Sequence, residues 1–293
     1  MKKNKILLFG KNGLLGNELY QNFRHSNAVI SPSHDECDIT NVSHVKETFE
    51  SIKPDIVINA AGFTDVDRCE IEREKANTVN FVGTKNIVNE CQKYNCHYLT
   101  YSTDYVFDGE KSSPYIETDK PQPINYYGET KLNAEKIIQQ SLIKYSILRV
   151  SWLYGMYRDN FLKLIIKSGL KANKTNVVLP IVNNQIGSPT SVSEIVAQTK
   201  IILENKITGV VHCSSQGKVS RYEMTKMIFD YYNINTKIKP CLLSDRKHDA
   251  LRPMYSCLEN KKLNDRGFNI MKSSETALIE FLDLNRENLL NAM

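Results

Sequence analysis

A tyrosine and a lysine stand four residues apart at Tyr127 and Lys131. Residues four apart share one face of a helix, so the Lys131 ammonium can lie one turn from the Tyr127 phenol and stabilise its phenolate. A phenol in that setting can act as a proton donor. Thr103 follows an apolar run and is the predicted hydroxyl partner of Tyr127. Each residue alone would more often be structural, as a strand threonine or as a chance pair on an amphipathic helix.

A glycine-rich turn follows the first apolar run of the chain, Ile6–Phe9, with the spacing Gly10-x-x-Gly13-x-x-Gly16. Between a strand and a helix, such a turn lets backbone N–H groups approach a pyrophosphate, and its third glycine allows the helix to pack closely on the strand. A glycine-rich helix cap is the plainer interpretation, because the spacing is not G-x-G-x-x-G. Its position after the first strand, upstream of the tyrosine, favours dinucleotide binding and a redox enzyme.

The end of the second strand bears on the kind of dinucleotide. Sites that prefer NAD usually carry an acidic residue there, where this chain has Ser31. We therefore expect NADPH to be accepted, with NADH as the alternative. Lys11 could meet a 2′-phosphate or be a solvated loop lysine, and Asp35 or Asp38 could face the adenosine. The residues expected to contact the cofactor are Gly10, Lys11, Asn12, Gly13, Leu14, Gly16, Ser31, Asp38, Ile39, Ala60, Ala61, Gly62, Tyr127 and Lys131.

Short apolar runs alternate with stretches of helical period, which predicts a doubly wound parallel sheet of the Rossmann type. The predicted strands are Ile6–Phe9, Ala28–Ser31, Ile56–Asn59, Tyr98–Ser102, Ser146–Val150, Val177–Ile181 and Val210–His212. The predicted helices are Val42–Ile52 with Asn41 as its cap, Lys75–Lys93, Tyr127–Gln140, Phe161–Ser168 and Ser193–Leu203. Residues 1–150 plus about 177–212 would form the dinucleotide-binding domain. About 151–176 plus 213–293 would form a smaller α/β lobe that binds the substrate.

Composition limits the other classes of function. The 293 residues carry a net charge of +5, but 38 basic residues are interspersed with 33 acidic ones, so no basic stripe for nucleic acid is expected. The seven cysteines are scattered without the spacing of a zinc site, which predicts reduced thiols and no metal site. The apolar run Ile6–Phe9 is too short for a signal peptide or membrane span, so we expect a cytoplasmic chain with no membrane partner.

Several longer motifs carry a resemblance to a known family. They are Leu7-Leu-Phe-Gly-Lys-Asn-Gly13, Asn59-Ala-Ala61, Tyr101-Ser-Thr-Asp-Tyr-Val-Phe-Asp-Gly109, Pro114-Tyr-x-Glu117, Tyr127-Gly-Glu-Thr-Lys-Leu132, Arg149-Val-Ser-Trp-Leu-Tyr-Gly155, Gln185-Ile-Gly-Ser-Pro-Thr190 and Arg252-Pro253. Over nearly its whole length the chain resembles the extended short-chain dehydrogenase/reductases, and among them the dTDP-4-dehydrorhamnose reductases. Related 4,6-dehydratases place Glu where this chain has Tyr105. A ketone reduction needs no such carboxylate, which fits a reductase.

The resemblance implies a reaction and roles for particular residues. The expected reaction is NAD(P)H-dependent reduction of the C4 ketone of dTDP-4-dehydro-β-L-rhamnose to dTDP-L-rhamnose, with Tyr127 as proton donor and with Thr103 and Lys131 assisting. A nucleotide sugar is thus the expected substrate, and a homodimer is plausible. A role in surface polysaccharide biosynthesis also follows from the resemblance. The implied substrate-binding residues are Asp104, Tyr105, Trp152 and Arg252.

Departures from the family pattern leave alternatives open. Gly62-Phe63 stands where relatives typically have Ala-Tyr or Ala-His, Asn184 where Asp is usual, and Tyr255 where Asn is common. The sugar configuration and the base therefore stay open, and a reductase of another nucleotide-activated 4-keto-6-deoxysugar is the first alternative. A catalytically silent dinucleotide-binding regulatory subunit of the methionine adenosyltransferase type is the second. The intact Thr103, Tyr127 and Lys131 argue against it.

Overall fold

The computed structural model describes residues 4–291 of the chain. The strands in this range are β1 (Lys5–Phe9), β2 (Ala28–Ile30), β3 (Ile56–Asn59), β4 (His97–Thr103), β5 (Lys144–Val150), β6 (Leu153–Tyr154), β7 (Leu179–Val182), β8 (Ile186–Gly187), β9 (Thr190–Ser191), β10 (Gly209–His212), β11 (Val219–Ser220) and β12 (Ile238–Cys241). The α-helices are α1 (Leu14–Phe23), α2 (Val42–Ile52), α3 (Val66–Ile71), α4 (Arg73–Asn77), α5 (Gly83–Tyr94), α6 (Tyr126–Gln140), α7 (Phe161–Thr175), α8 (Val192–Glu204), α9 (Arg221–Tyr232), α10 (Lys261–Asp265) and α11 (Ser274–Asn291).

Six parallel strands form the central sheet in the order β10-β5-β4-β3-β1-β2. The apolar runs of these strands have both faces covered, as is usual in parallel sheets. In β1, Ile6 and Leu8 point into one hydrophobic core, and Leu7 and Phe9 point into the core on the opposite face. The strand order reverses at β1, which lies between β2 and β3. This Rossmann-like sheet with flanking helices confirms the predicted fold class.

A second group of strands lies outside the central sheet. β7 pairs with β12, β8 with β11, and β6 with β9. A third hydrophobic core joins α7, α9 and α11, with Leu162, Ile228 and Leu282 fully buried. We expected residues from about 177 to belong to the dinucleotide-binding domain, but β7 pairs with β12 of the C-terminal part, while β10 alone returns to the central sheet. The domain boundaries themselves stay a prediction.

Most predicted helices are present, with one instructive difference. The Asn41 side chain caps α2 by accepting hydrogen bonds from the N–H groups of Ser43 and His44. The stretch predicted as one helix, Lys75–Lys93, instead contains α4, a π-helical turn at Thr78–Val82 and α5. A π-turn adds a residue to the helical repeat, and the apolar spacing does not signal that addition. Among residues 4–291, no helix is both long and apolar enough to cross a membrane.

Candidate active site

A cleft of about 1020 Å³ opens at the carboxyl ends of β1, β3, β4 and β5, whose last residues contribute to its wall. Open α/β sheets bind their ligands at such an edge, next to the point where the strand order reverses. The predicted site residues that line this cleft are Gly10, Lys11, Asn12, Gly13, Leu14, Ser31, Asp38, Ile39, Ala60, Ala61, Gly62, Thr103, Asp104, Tyr105, Tyr127, Lys131 and Trp152. Gly16 and Arg252 do not belong to this lining.

Helix α6 brings Tyr127 and Lys131 into the cleft. The Asn125 side chain caps the helix by accepting a hydrogen bond of 2.8 Å from the Gly128 N–H. Tyr127 then lies in the first turn, with its ring centroid 6.2 Å from that of Tyr105 in an edge-to-face arrangement. Thr103 ends β4 at the same edge of the sheet. The three predicted catalytic residues therefore share one wall of the cleft.

Burial has the largest effect on the pKa values of Tyr127 and Lys131. Burial raises the pKa of Tyr127 above its ordinary value, and the nearby Thr103 hydroxyl partly offsets that rise. Burial lowers the pKa of Lys131 to about 8, while Glu135 acts in the opposite direction. The sequence predicted that the Lys131 ammonium stabilises the Tyr127 phenolate. In the structure, desolvation of Tyr127 has the larger effect on its pKa and favours the neutral phenol. Tyr127 is thus a neutral phenol at neutral pH, and Lys131 is a cation that can release its proton readily.

The carboxylate of Asp104 lies next to the hydroxyl of Thr103, with 3% of the residue exposed. Its Oδ1 accepts a hydrogen bond of 3.0 Å from the Thr103 hydroxyl, and its Oδ2 accepts one of 2.9 Å from the Ser151 hydroxyl. Burial raises the pKa of Asp104 to about 6. Because the Thr103 hydroxyl donates its hydrogen bond to Asp104, a lone pair of its oxygen can face Tyr127 or a ligand. Asp104 therefore orients Thr103 in this structure.

The glycine turn is shaped for close contact with a ligand. Gly10 has a φ of +84°, and a Cβ there would lie 2.5 Å from the Ala60 carbonyl carbon. A Cβ at Gly16 would lie 2.0 Å from the Gly10 carbonyl oxygen, so this residue allows α1 to pack against the turn, as predicted. Gly13 caps α1 without a side-chain hydrogen bond, which leaves helix N–H groups for an anion. These features fit a dinucleotide pyrophosphate.

Ser31, Asp38 and Lys11 line the cleft, and each is held by contacts within the protein. The Ser31 hydroxyl donates a hydrogen bond of 2.7 Å to the Leu8 carbonyl. Asp38 accepts hydrogen bonds from the N–H and hydroxyl of Thr40, which hold its carboxylate on its own loop. The Lys11 ammonium lies 3.8 Å from the centroid of the Tyr20 ring. Lys11 is therefore held at the cleft by a cation–π contact.

Trp152 has a strained backbone and a tightly enclosed ring. Its φ is +43°, a conformation uncommon for a bulky residue. One part of the indole lies against Gly187, where a Cβ would be 2.3 Å from Trp152 Cε2. The guanidinium carbon of Arg221 lies 3.5 Å from the ring centroid. Among the described residues, no partner accepts a hydrogen bond from the buried Trp152 Nε1.

Arg252 lies near the cleft but points to a protein carboxylate. Its Nη1 and Nη2 donate to Oδ1 and Oδ2 of Asp67 at 3.0 and 2.7 Å. This bidentate pair holds the pKa of Asp67 down to about 2. Asp67 also accepts hydrogen bonds from the backbone N–H groups of Asp249 and Ala250. Asp67 therefore fastens the 249–252 segment to α3. A substrate-binding role for Arg252 stays a prediction.

Two arginines that line the cleft were not predicted from the sequence. Arg221 begins α9 and stacks on Trp152, and Arg158 donates a hydrogen bond of 2.6 Å from its Nε to the Asn12 carbonyl in the glycine turn. Both are single arginines in the second half of the chain, outside any motif that binds a ligand. Nothing in their sequence neighbourhood separates them from surface arginines. Only the folded chain brings them to the cleft.

Comparisons with known proteins identify relatives over most of the chain. The family model described as RmlD substrate binding domain matches residues 4–286. The chain is 33% identical to the Bacillus subtilis spore coat polysaccharide biosynthesis protein SpsK, covering 95% of this chain and 96% of that protein. It is 36% identical to the Escherichia coli dTDP-4-dehydrorhamnose reductase over 77% of each.

Solved structures give the same result. The dTDP-4-dehydrorhamnose reductase of Clostridium acetobutylicum superposes with a TM-score of 0.92 at 36% identity, covering 96% of this chain and 99% of that one. The Bacillus anthracis dTDP-4-dehydrorhamnose reductase, solved in complex with NADP, superposes with a TM-score of 0.90 at 33% identity and the same coverage. The chain therefore belongs to the dTDP-4-dehydrorhamnose reductase family of oxidoreductases, as its motifs indicated.

Proposed function

We propose that this protein reduces the C4 ketone of dTDP-4-dehydro-β-L-rhamnose to dTDP-L-rhamnose, with NADPH as hydride donor and NADH as the alternative. The observation that carries the proposal is the convergence of Thr103, Tyr127 and Lys131 on the cleft that begins at the glycine turn. The names of its relatives and the NADP complex of one of them support the same reaction.

The chain's own residues account for binding and for the proton. The glycine turn and the N-terminus of α1 would hold the pyrophosphate, and the turn is braced by Arg158. The cofactor, when bound, supplies the hydride that adds to C4. As negative charge develops on the ketone oxygen, the Tyr127 phenol donates its proton to it, with the Thr103 hydroxyl aligned by Asp104. General acid help of this kind is worth roughly 10²–10⁴-fold in rate.

Lys131 completes the proton transfer. Its lowered pKa of about 8 places its proton exchange near neutral pH. Its ammonium favours the tyrosinate left after donation and can return a proton to it. Glu135, one turn along the same helix, is neutralised by Arg149 at 2.6 Å and therefore does not compete fully for the lysine. The net reaction consumes one hydride and one proton and forms one secondary alcohol.

The direct test is the loss of absorbance at 340 nm when purified protein meets NADPH and enzymatically prepared dTDP-4-dehydro-β-L-rhamnose. The product is identified by NMR as dTDP-L-rhamnose. Tyr127→Phe should lower kcat by about 10²-fold or more without weakening NADPH binding, because it removes only the phenolic proton. Tyr126→Phe is the matched control, since Tyr126 neighbours Tyr127 on α6 but does not line the cleft. Equal activity of wild type and Tyr127→Phe would contradict the assigned donor.

A different 4-keto sugar is the alternative that the structure favours next. Phe63 lines the cleft where a polar residue is typical of the family, and the Asn80 side chain accepts the Phe63 N–H at 2.8 Å and fixes the backbone there. A changed contact at this point would alter which sugar hydroxyls are recognised. Assays with 4-keto-6-deoxysugars on dTDP and on UDP separate the two reductases. NADPH binding without turnover of any of them would favour the regulatory subunit.

A further inference from the structure

Arg221 is placed in the cleft by a well-defined local structure. It is the first residue of α9, directly after Ser220. The Ser220 hydroxyl accepts a hydrogen bond from the Glu223 N–H at 3.0 Å, and the Glu223 carboxylate accepts the Ser220 N–H at 2.7 Å. Ser220 is also paired with Ile186 across β11 and β8. This capping box and strand pair fix the position from which the Arg221 side chain extends.

Two aromatic rings enclose the guanidinium. Its central carbon lies 3.5 Å from the centroid of Trp152 and 4.5 Å from that of Phe161, and all three residues line the cleft. A planar group held against rings by its faces retains its N–H edges for hydrogen bonds. Within residues 4–291, no carboxylate forms an ion pair with Arg221 and no protein acceptor receives a hydrogen bond from its guanidinium. The positive charge at this point has no protein counterion.

The surroundings make that charge unfavourable without a ligand. Burial lowers the pKa of Arg221 to about 10, so the group is still a cation at neutral pH. Tyr105 and Asp104 both act against this lowering, but the two carboxylate oxygens of Asp104 already accept the hydroxyls of Thr103 and Ser151. Arg252, a second nearby cation, is already paired with Asp67. A partly buried, unpaired guanidinium is destabilising unless an anion joins it.

We propose that the Arg221 guanidinium binds the diphosphate of the nucleotide sugar and thereby selects nucleoside diphosphate substrates. This inference rests on the proposed function for the identity of the substrate class. The cofactor's pyrophosphate has its own place at the glycine turn and the N-terminus of α1. Arg221 instead lies with Trp152 and near Tyr105, on the side of the cleft that carries Tyr127. Its free edge suits a bidentate contact with phosphate oxygens.

The test measures binding rather than turnover. Isothermal titration with dTDP, UDP and GDP, each in the presence of saturating NADP⁺, is run on wild type, Arg221→Gln, Arg221→Lys and Arg266→Gln. Arg266→Gln is the matched loss of one charge, because Arg266 is exposed and does not line the cleft. The nucleoside diphosphate that wild type binds should bind Arg221→Gln about 10- to 100-fold more weakly. Arg221→Lys should fall between them, and Arg266→Gln should match wild type.

The outcomes separate this inference from the proposed reaction. An unchanged affinity in Arg221→Gln, or no binding of any nucleoside diphosphate to wild type, overturns it. Weaker binding of NADPH with undiminished binding of the diphosphate would assign Arg221 to the cofactor and also overturn it. Tryptophan fluorescence of the wild type measures nucleoside diphosphate binding independently, because Trp152 is the only tryptophan in the sequence and contacts Arg221. Binding lost in Arg221→Gln supports the inference even if the rhamnose precursor is not reduced.

Discussion

Replacement of Asp104 by Asn should change the free energy of unfolding more favourably at pH 8 than at pH 4. Burial of this carboxyl raises its pKa from 3.8 to about 6. The folded protein therefore holds the Asp104 proton more tightly than the unfolded chain does. As pH rises from about 4 to 6, the unfolded chain loses this proton first, so wild-type stability falls across that window and stays lower above it. A difference of about two pKa units corresponds to roughly 3 kcal/mol.

Asn at position 104 removes the buried charge but changes the hydrogen bonds. The hydroxyls of Thr103 and Ser151 both donate to the carboxylate, and an amide can accept only on its oxygen. We therefore expect Asp104→Asn to gain about 1–3 kcal/mol at pH 8 relative to its effect at pH 4. Its kcat should fall, because one amide oxygen cannot accept both hydroxyls as the carboxylate does, and this disturbs the orientation of Thr103.

Urea denaturation at several pH values between 4 and 8 measures this difference. Asp35→Asn is the control, since Asp35 is exposed and its replacement should change the free energy of unfolding little at every pH. The contrast between the variants separates Asp104 from the other carboxylates that titrate in the same range. If the effect of Asp104→Asn is the same at pH 4 and pH 8, the buried ionisation described for Asp104 is refuted.

Three further perturbations address the rest of the site. The kcat/KM of the wild type should decline above about pH 8, because Lys131 loses its proton there. Lys131→Arg should abolish that decline between pH 6 and 10. A decline that persists in this variant would exclude Lys131 as its cause. Arg149→Met should lower the free energy of unfolding by about 3–5 kcal/mol in urea, because it leaves Glu135 buried without its partner; a loss below 1 kcal/mol would contradict this. Gly16→Ala should lower thermal stability and weaken NADPH binding, because its methyl group would clash with the Gly10 carbonyl. If the variant binds NADPH as tightly as the wild type does, the close packing of the turn is contradicted.

Much of the central sheet could be predicted because its signals are local. The runs at Ile6–Phe9 and Ile56–Asn59 are β-branched or apolar, lie between helical stretches and are buried on both faces, so pattern and structure agree. The pairing of β7 could not be predicted in this way. The apolar run from Val177 looks like any buried strand, and its partner, β12, lies more than fifty residues further along the chain. Pairing is decided by packing between distant segments, which a local pattern does not contain.

Some residues of the site could likewise be predicted from local patterns, and others could not. The turn at Gly10 and the Tyr127–Lys131 pair are short-range patterns, and the fold brings them to one cleft. Arg221 is different, because its importance comes from the two rings that enclose it and from the absence of a carboxylate partner within the described residues. Arg252 is the opposite case. It lies in a recognisable motif and was predicted to bind the substrate, but in the structure its guanidinium forms an ion pair with Asp67.

The position of β10 in the central sheet has a consequence during synthesis of the chain. β5 ends at Val150 and its outer neighbour, β10, begins at Gly209. At roughly 5–20 residues per second, a ribosome needs several seconds to make the intervening segment. In a sheet that has formed without β10, β5 would be an edge strand whose outer backbone N–H and C=O groups lack a strand partner, the kind of surface that promotes aggregation. A nascent chain that stalls between these strands should therefore depend on chaperones more than one released after residue 212.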